Sequence, residues 1–119
     1  MEIEFWEDSN GIKAVWEFIK KSDRKKSILK KFELYERQKL ADLLKSESAT
    51  EFKGIKARYG FSLYEFKPGP YRFLFVAQNT GEKILLVHSF VKKTNKTPQA
   101  EINKALRIAT LLSEKYILR

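Results

Sequence analysis

Three side chains between residues 65 and 88 have types suited to acid–base chemistry on an anion. Glu65, Arg72 and His88 each fall on a segment that alternates like a strand: SLYEFK, YRFLFVAQ and ILLVHSFV. A guanidinium grips two oxygens of one anion at once. Imidazole is the side chain whose ordinary titration lies nearest neutrality, so it can act as acid or base at physiological pH. A carboxylate can take a proton or orient a neighbouring guanidinium. His88 is the only histidine of the chain, and its strand runs straight into Lys92, Lys93 and Lys96 before Thr97-Pro98.

The charge distribution indicates which anion. The formal net charge is +9, from 24 Lys+Arg against 15 Asp+Glu. Residues 20–31 (KKSDRKKSILKK) hold seven basic residues and one acid, and residues 83–96 hold four lysines and no acid. The acids gather instead at Glu2, Glu4, Glu7 and Asp8. Segregated charge of this kind fits a face that meets a polyanion, most often nucleic acid, better than it fits general solubility. The chain has no cysteine, so it can have neither a disulfide framework nor a thiolate zinc site. With one histidine, a transition-metal site would rest almost wholly on carboxylates; no metal and no cofactor is expected. The longest apolar runs fall short of a membrane span, and the acidic start, MEIEFWED, is unlike a signal peptide. Together these point to a cytoplasmic protein with no membrane partner.

The elements that must position the three residues follow from periodicity. The length of 119 residues suits one domain, residues 1–119, and 43% hydrophobic content with nine Phe can fill a core. EIEFW alternates as a short strand. Ser9 is expected to cap a helix to about Lys20, with the stripe Ile12, Val15, Trp16, Ile19. Ser22 or Asp23 is expected to cap a second helix to about Leu44, forming a hairpin with the first. Residues 45–59 read as loop. Strands are expected at 62–67, 71–78 and 84–91, with turns at Pro68-Gly69 and Asn79-Thr80-Gly81. Thr97 should cap, and Pro98 open, a last helix to about Tyr116. The order β-α-α-β-β-β-α implies an α+β fold: an N-terminal strand and helical hairpin packed on a twisted antiparallel sheet, with a C-terminal helix.

Turn geometry then sets which side chains meet. A two-residue Pro68-Gly69 loop puts Glu65 opposite Arg72. A three-residue Asn79-Thr80-Gly81 loop puts Arg72 opposite His88 and Val76 opposite Ile84. One sheet face then carries the row Glu65–Arg72–His88. The other carries Tyr64, Phe66, Phe73, Phe75, Leu85 and Val87 and meets the helices, so the polar row points away from the main core. Each member of the row has an ordinary structural reading; a cross-strand ion pair contributes about 0.2–1 kcal/mol. Their combination beside Lys53, Lys56 and the Lys92-Lys93-Lys96 cluster is what favours a site.

LYEFKPGPYRFLFV followed by ILLVHSFVKKTNKTPQAEINKAL resembles the RelE/HigB superfamily of bacterial toxins, in its phage-derived HigB-like branch. The residues that carry the resemblance are Leu63, Glu65 and Lys67; Tyr71 and Arg72; His88, Phe90, Lys92 and Lys93; and Thr97, Pro98, Glu101 and Ala105. It covers about residues 50–116. It implies a RelE-like fold and a ribosome-dependent, metal-independent endoribonuclease that cuts messenger RNA. It also implies a partner antitoxin, often a small helix-turn-helix DNA-binding protein. Lys67 stands where the family often has Arg; it keeps the charge and loses the fork.

Such an enzyme lets the RNA 2′-hydroxyl attack the adjacent phosphate, and needs a proton acceptor, a proton donor and cations for the phosphorane. Arg72 is the expected phosphate clamp and His88 the acid or base. Glu65 is a base or, better, an orienter of Arg72. Lys56, Arg58, Lys67, Lys92 and Lys93 could position the backbone or move protons, with Lys53 and Lys96 extending the rim. Tyr71 and Phe90 could stack a base, although strand aromatics are more often core. Two other readings share the features: a ParE-type inhibitor of DNA gyrase, and a basic domain that binds nucleic acid without cutting it.

Overall fold

The computed structural model describes all 119 residues. Five strands and five helices follow in the order β1 (Glu2–Phe5), α1 (Ala14–Lys21), α2 (Lys25–Glu36), α3 (Leu40–Lys45), β2 (Ala49–Glu51), α4 (Ile55–Tyr59), β3 (Tyr64–Phe66), β4 (Tyr71–Ala77), β5 (Lys83–Val91) and α5 (Gln99–Leu112). The sheet order is β1-β5-β4-β3-β2. All neighbours are antiparallel except β1, which runs parallel to β5 along the edge. The fold is α+β, with a C-terminal helix as expected and one mixed sheet covered on both faces.

The amphipathic stripes explain the helices, and their gaps explain where the helices stop. Val15 and Ile19 bury the inner side of α1, but Ile12 lies before the helix and is 50% exposed. Asp8, rather than Ser9, organises the approach, its carboxylate accepting from the Asn10 and Ile12 amides at 2.9 Å each. The single helix expected to Leu44 is two. Ile28, Phe32 and Tyr35 keep the i, i+4, i+7 spacing, but the next apolar residue is Leu40, five positions on, out of phase with 3.6 residues per turn. The chain breaks at Arg37–Lys39 and restarts, so that Leu40 and Leu43 also reach the core. Residues 45–59 are not all loop. Ala49–Glu51 adds an edge strand to β3, and α4 is a short helix bounded by Gly54 and Gly60, both at φ 82° where a side chain would be strained.

One sheet face packs Tyr64, Phe66, Phe73, Phe75, Ala77, Ile84 and Leu86 against α1, α2 and α3. Its aromatic rings stack closely, Phe66 on Phe75 at 4.3 Å and Tyr35 on Phe66 at 4.4 Å, and such pairs add about 0.5–1.5 kcal/mol each beyond burial. The opposite face is also buried. Leu63, Leu74, Val76, Leu85 and Val87 lie under Ala105, Leu106, Ala109 and Leu112 of α5. The expectation that this second face points away from the core is corrected: a helix covers it, and only its far end is polar.

The two hairpin registers differ from those expected. Glu65 pairs with Leu74, not Arg72, because the two-residue loop sits one residue later, at Gly69-Pro70 rather than Pro68-Gly69. A Lys67–Pro70 closing pair would need an amide that Pro70 lacks. The chain instead turns through Pro68–Tyr71, where the Tyr71 amide donates to the Pro68 carbonyl at 3.1 Å. The shift is two residues, so Glu65 stays on the face of Arg72, diagonal to it. Between β4 and β5, the Gln78 amide donates to the Lys83 carbonyl, making a four-residue turn. That slip moves Leu85, paired with Val76, to the α5 side and Leu86 to the aromatic side. A bulge at Val87 then restores the phase: Leu74 pairs with His88, and Arg72 with Phe90. His88 therefore shares a face with Arg72 two residues further along, and is not directly opposite it.

Candidate functional site

The polar cluster sits where the apolar layer beneath α5 ends. Arg72, at the start of β4, is mostly buried and pinned. Its Nη1 donates to the carbonyls of Gly69 at 2.6 Å and Tyr71 at 2.8 Å, both in the β3–β4 turn. Its Nε lies 3.9 Å from Glu65 Oε1 and is the one buried side-chain nitrogen or oxygen with no hydrogen bond. The Nη2 group makes no hydrogen bond and is not among the enclosed atoms. Glu65 is 4% exposed and its second oxygen accepts from the Thr97 hydroxyl at 2.6 Å. One buried carboxylate thus ties together β3, the guanidinium on β4 and the loop that carries Lys92, Lys93 and Lys96.

His88 belongs to an adjoining network. Its Nε2 lies within hydrogen-bond distance of Glu101 Oε2, at 3.1 Å, and Lys104 donates to Glu101 Oε1 at 3.3 Å. Phe90 stacks on the imidazole, with ring centres 5.9 Å apart and planes 25° apart. Burial alone would raise the Glu101 carboxyl, but the His88 hydrogen bond and the charges of His88 and Lys104 outweigh it and hold Glu101 below the ordinary carboxylate value. No group of three or more His, Asp or Glu residues gathers as ligands of an ion would.

Residues 17–110 match the family described as Phage derived protein Gp49-like (DUF891). The chain belongs to the Gp49-like family. This is a phage-derived family of RelE/HigB-like toxins, and the mixed sheet with helices on both faces is compatible with a RelE-like fold. No curated protein matches the chain. The Gp49-like match takes in both polar networks whole and leaves outside it residues 1–16, with β1 and the start of α1, and residues 111–119. No helix is long and apolar enough to cross a membrane.

Among the residues singled out from the sequence, the Gp49-like fold brings Glu65, Arg72, His88 and Phe90 onto one face at one end of the sheet. Lys67 follows β3 directly and is exposed. Lys92 is half-buried beside the same turn, its amide donating to the Pro70 carbonyl at 2.7 Å, and Lys93 and Lys96 are exposed on the loop beyond. Lys53, Lys56 and Arg58 are exposed on and before α4, with Arg58 over the ring of its neighbour Tyr59 at 5.5 Å; none bonds to the polar networks. Tyr71 is on the opposite face. Its ring packs edge-on to Phe18, and its hydroxyl accepts from Ser22 and donates to Asp23. That holds the helical hairpin to the sheet.

Sequence reasoning missed three participants. Thr97 does not cap α5: Pro98 occupies the position before the helix, and the Thr97 hydroxyl is spent on Glu65. Glu101 and Lys104 lie one turn apart on the first turns of α5, a spacing legible as a local pair. Their contact with a strand 13 residues earlier depends on how α5 crosses the sheet, for which the sequence carries no signal.

Proposed function

We propose that this protein is a toxin of a toxin–antitoxin pair and acts as an endoribonuclease on messenger RNA bound to the ribosome. The observation that carries the reading is the placement of Arg72 and His88 on one sheet face, each braced by its own carboxylate, beside a lysine loop in a chain of net charge +9. The nucleophile is the RNA's own 2′-hydroxyl. Its proton leaves to a base as the oxygen attacks phosphorus, and the bond to the 5′-oxygen breaks as that oxygen takes up a proton. The products are a 2′,3′-cyclic phosphate and a free 5′-hydroxyl. Arg72 Nη2 faces the anion and neutralises the charge that builds on the phosphorane. His88 exchanges protons with the reacting oxygens. Lys67, Lys92, Lys93 and Lys96 hold the backbone by charge. Glu65 orients Arg72, because a nearly sealed carboxylate bonded to Thr97 is poorly placed to reach RNA. Phe90 is placed to limit rotation of the imidazole more than to stack a base. The partner is an antitoxin that covers this basic face.

Induction of wild-type protein should arrest growth and leave transcripts cut at mapped positions, with 5′-hydroxyl ends. Arg72→Ala and His88→Ala should each relieve arrest while remaining folded. Arrest with intact transcripts and DNA-damage signalling would instead identify a gyrase inhibitor. Harmless induction with salt-sensitive RNA binding would identify a binding domain.

A further inference from the structure

The proton-exchanging atom of His88 can be assigned from its surroundings. An ionised carboxylate only accepts hydrogen bonds. Glu101 Oε2 lies 3.1 Å from His88 Nε2, so Nε2 carries the hydrogen. The carboxylate is itself held, because Lys104 takes its other oxygen at 3.3 Å. Phe90 lies beside the imidazole, with ring centres 5.9 Å apart and planes 25° apart. The remaining nitrogen, Nδ1, makes no hydrogen bond, and it is not among the enclosed unbonded atoms, of which Arg72 Nε is the single case. Nδ1 is therefore not sealed from solvent, and the His88 side chain as a whole shares the sheet face of Arg72.

We infer that Glu101 is a positioning residue that locks His88 in the Nε2–H form and leaves Nδ1 as the nitrogen that exchanges a proton with RNA. This rests on the nuclease reading above for its consequence, but not for its geometry. As base, Nδ1 takes the 2′-hydroxyl proton, and the positive ring that results is paired with Glu101. As acid, the same atom returns it. Either way the carboxylate keeps its own state, and the proton enters and leaves at Nδ1. Glu101 touches no substrate and acts only through His88.

The test uses the full chain, labelled with 15N, at a pH high enough to leave the imidazole neutral. The ring nitrogen shifts of wild type should show Nε2–H in large excess. Glu101→Gln keeps the shape but can accept or donate, so the two forms should become comparable; Glu101→Asp should restore part of the excess. On ribosomes programmed with a defined message, Glu101→Gln should slow single-turnover cleavage about 10- to 100-fold, the usual effect of removing a partner that orients a functional imidazole. The ribosome concentration giving half-maximal rate should barely move. An unchanged tautomer ratio in Glu101→Gln overturns the inference, and so does a shifted ratio with an unchanged cleavage rate. If His88→Ala cuts as fast as wild type, the nuclease role of His88 fails, while the tautomer ratio still judges the hold that Glu101 has on the ring. Should Glu101→Gln lose its far-ultraviolet circular dichroism, Glu101→Ala, which also removes the acceptor-only partner, carries the same comparison.

Discussion

The Thr97 hydroxyl donates to Glu65 Oε2 at 2.6 Å, joining the end of the lysine loop to a carboxylate buried under it. The bond makes the loop's position depend on the same group that faces Arg72. Replacing Thr97 with Val keeps the shape and removes the donor, leaving a buried carboxylate oxygen unpaired. The expected loss of stability is about 1–3 kcal/mol, measured by urea unfolding. Protease cleavage within residues 92–97 should quicken at the same time. Unaltered cleavage would mean that the loop is held by something else.

Arg72→Lys preserves charge and tests geometry. An ammonium cannot reach the Gly69 and Tyr71 carbonyls in parallel while also presenting a free end. Growth arrest should be lost nearly as fully as in Arg72→Ala. Unfolding free energy should fall by about 1–3 kcal/mol, since two carbonyls of the turn lose a charged donor. Arrest at wild-type strength would show that charge alone suffices.

The Glu101 carboxyl is held below its ordinary value, so its ionisation contributes to stability above that value. The contribution is lost as pH falls through the lowered folded value, where the folded state must also take up the proton. A series of melting curves at decreasing pH should therefore show a fall for wild type through the acidic range. Glu101→Gln should begin less stable near neutrality and show a shallower fall. Parallel curves for the two proteins would remove the pair from the acid response.

Binding to single-stranded RNA should weaken linearly on a plot of log affinity against log salt, with a slope of roughly 0.7 per phosphate neutralised. The double change Lys92→Ala and Lys93→Ala should reduce the slope by about 1.4, if each lysine meets one phosphate. Lys53→Ala, on the approach to α4, should change it less. Fluorescence anisotropy over a salt series reads both values.

The final residues form a further brace for the sheet. Beside β4 beyond the end of β3, the Arg119 amide donates to the Ala77 carbonyl, and the Asn79 amide donates to the Ile117 carbonyl, while Leu118 is buried against the α5 layer. Leu118→Ala should cost about 2–5 kcal/mol in urea unfolding without changing the His88 tautomer ratio, since it lies in the apolar layer and not in the polar networks.

Composition and periodicity were enough for much of this molecule. The stripe of Ile28, Phe32 and Tyr35, the alternation of YRFLFVAQ, and Thr97-Pro98 before an apolar-periodic segment each reflect a local rule that needs no distant partner. The resemblance carried by LYEFKPGPYRFLFV and HSFVKKTNKTP reached the RelE/HigB-like toxins, the broader group that holds the Gp49-like family. The helix break at Arg37–Lys39 was also written locally, in the five-residue gap from Tyr35 to Leu40, and was misread as continuity. What tertiary structure alone decided was register and crossing. A four-residue turn displaced β5 by one residue and a bulge at Val87 displaced it by one more, and because the sum is an even two residues His88 stayed on the face of Arg72, paired with Leu74. Turn length and bulge position depend on how both sheet faces pack, Leu85 and Val87 under α5 and Leu86 against the aromatic layer. Glu101 meets His88 for the same reason: the angle at which α5 crosses the sheet is set by the fit of Ala105, Leu106 and Ala109 on that layer, a sum over many distant contacts that no short stretch of sequence encodes.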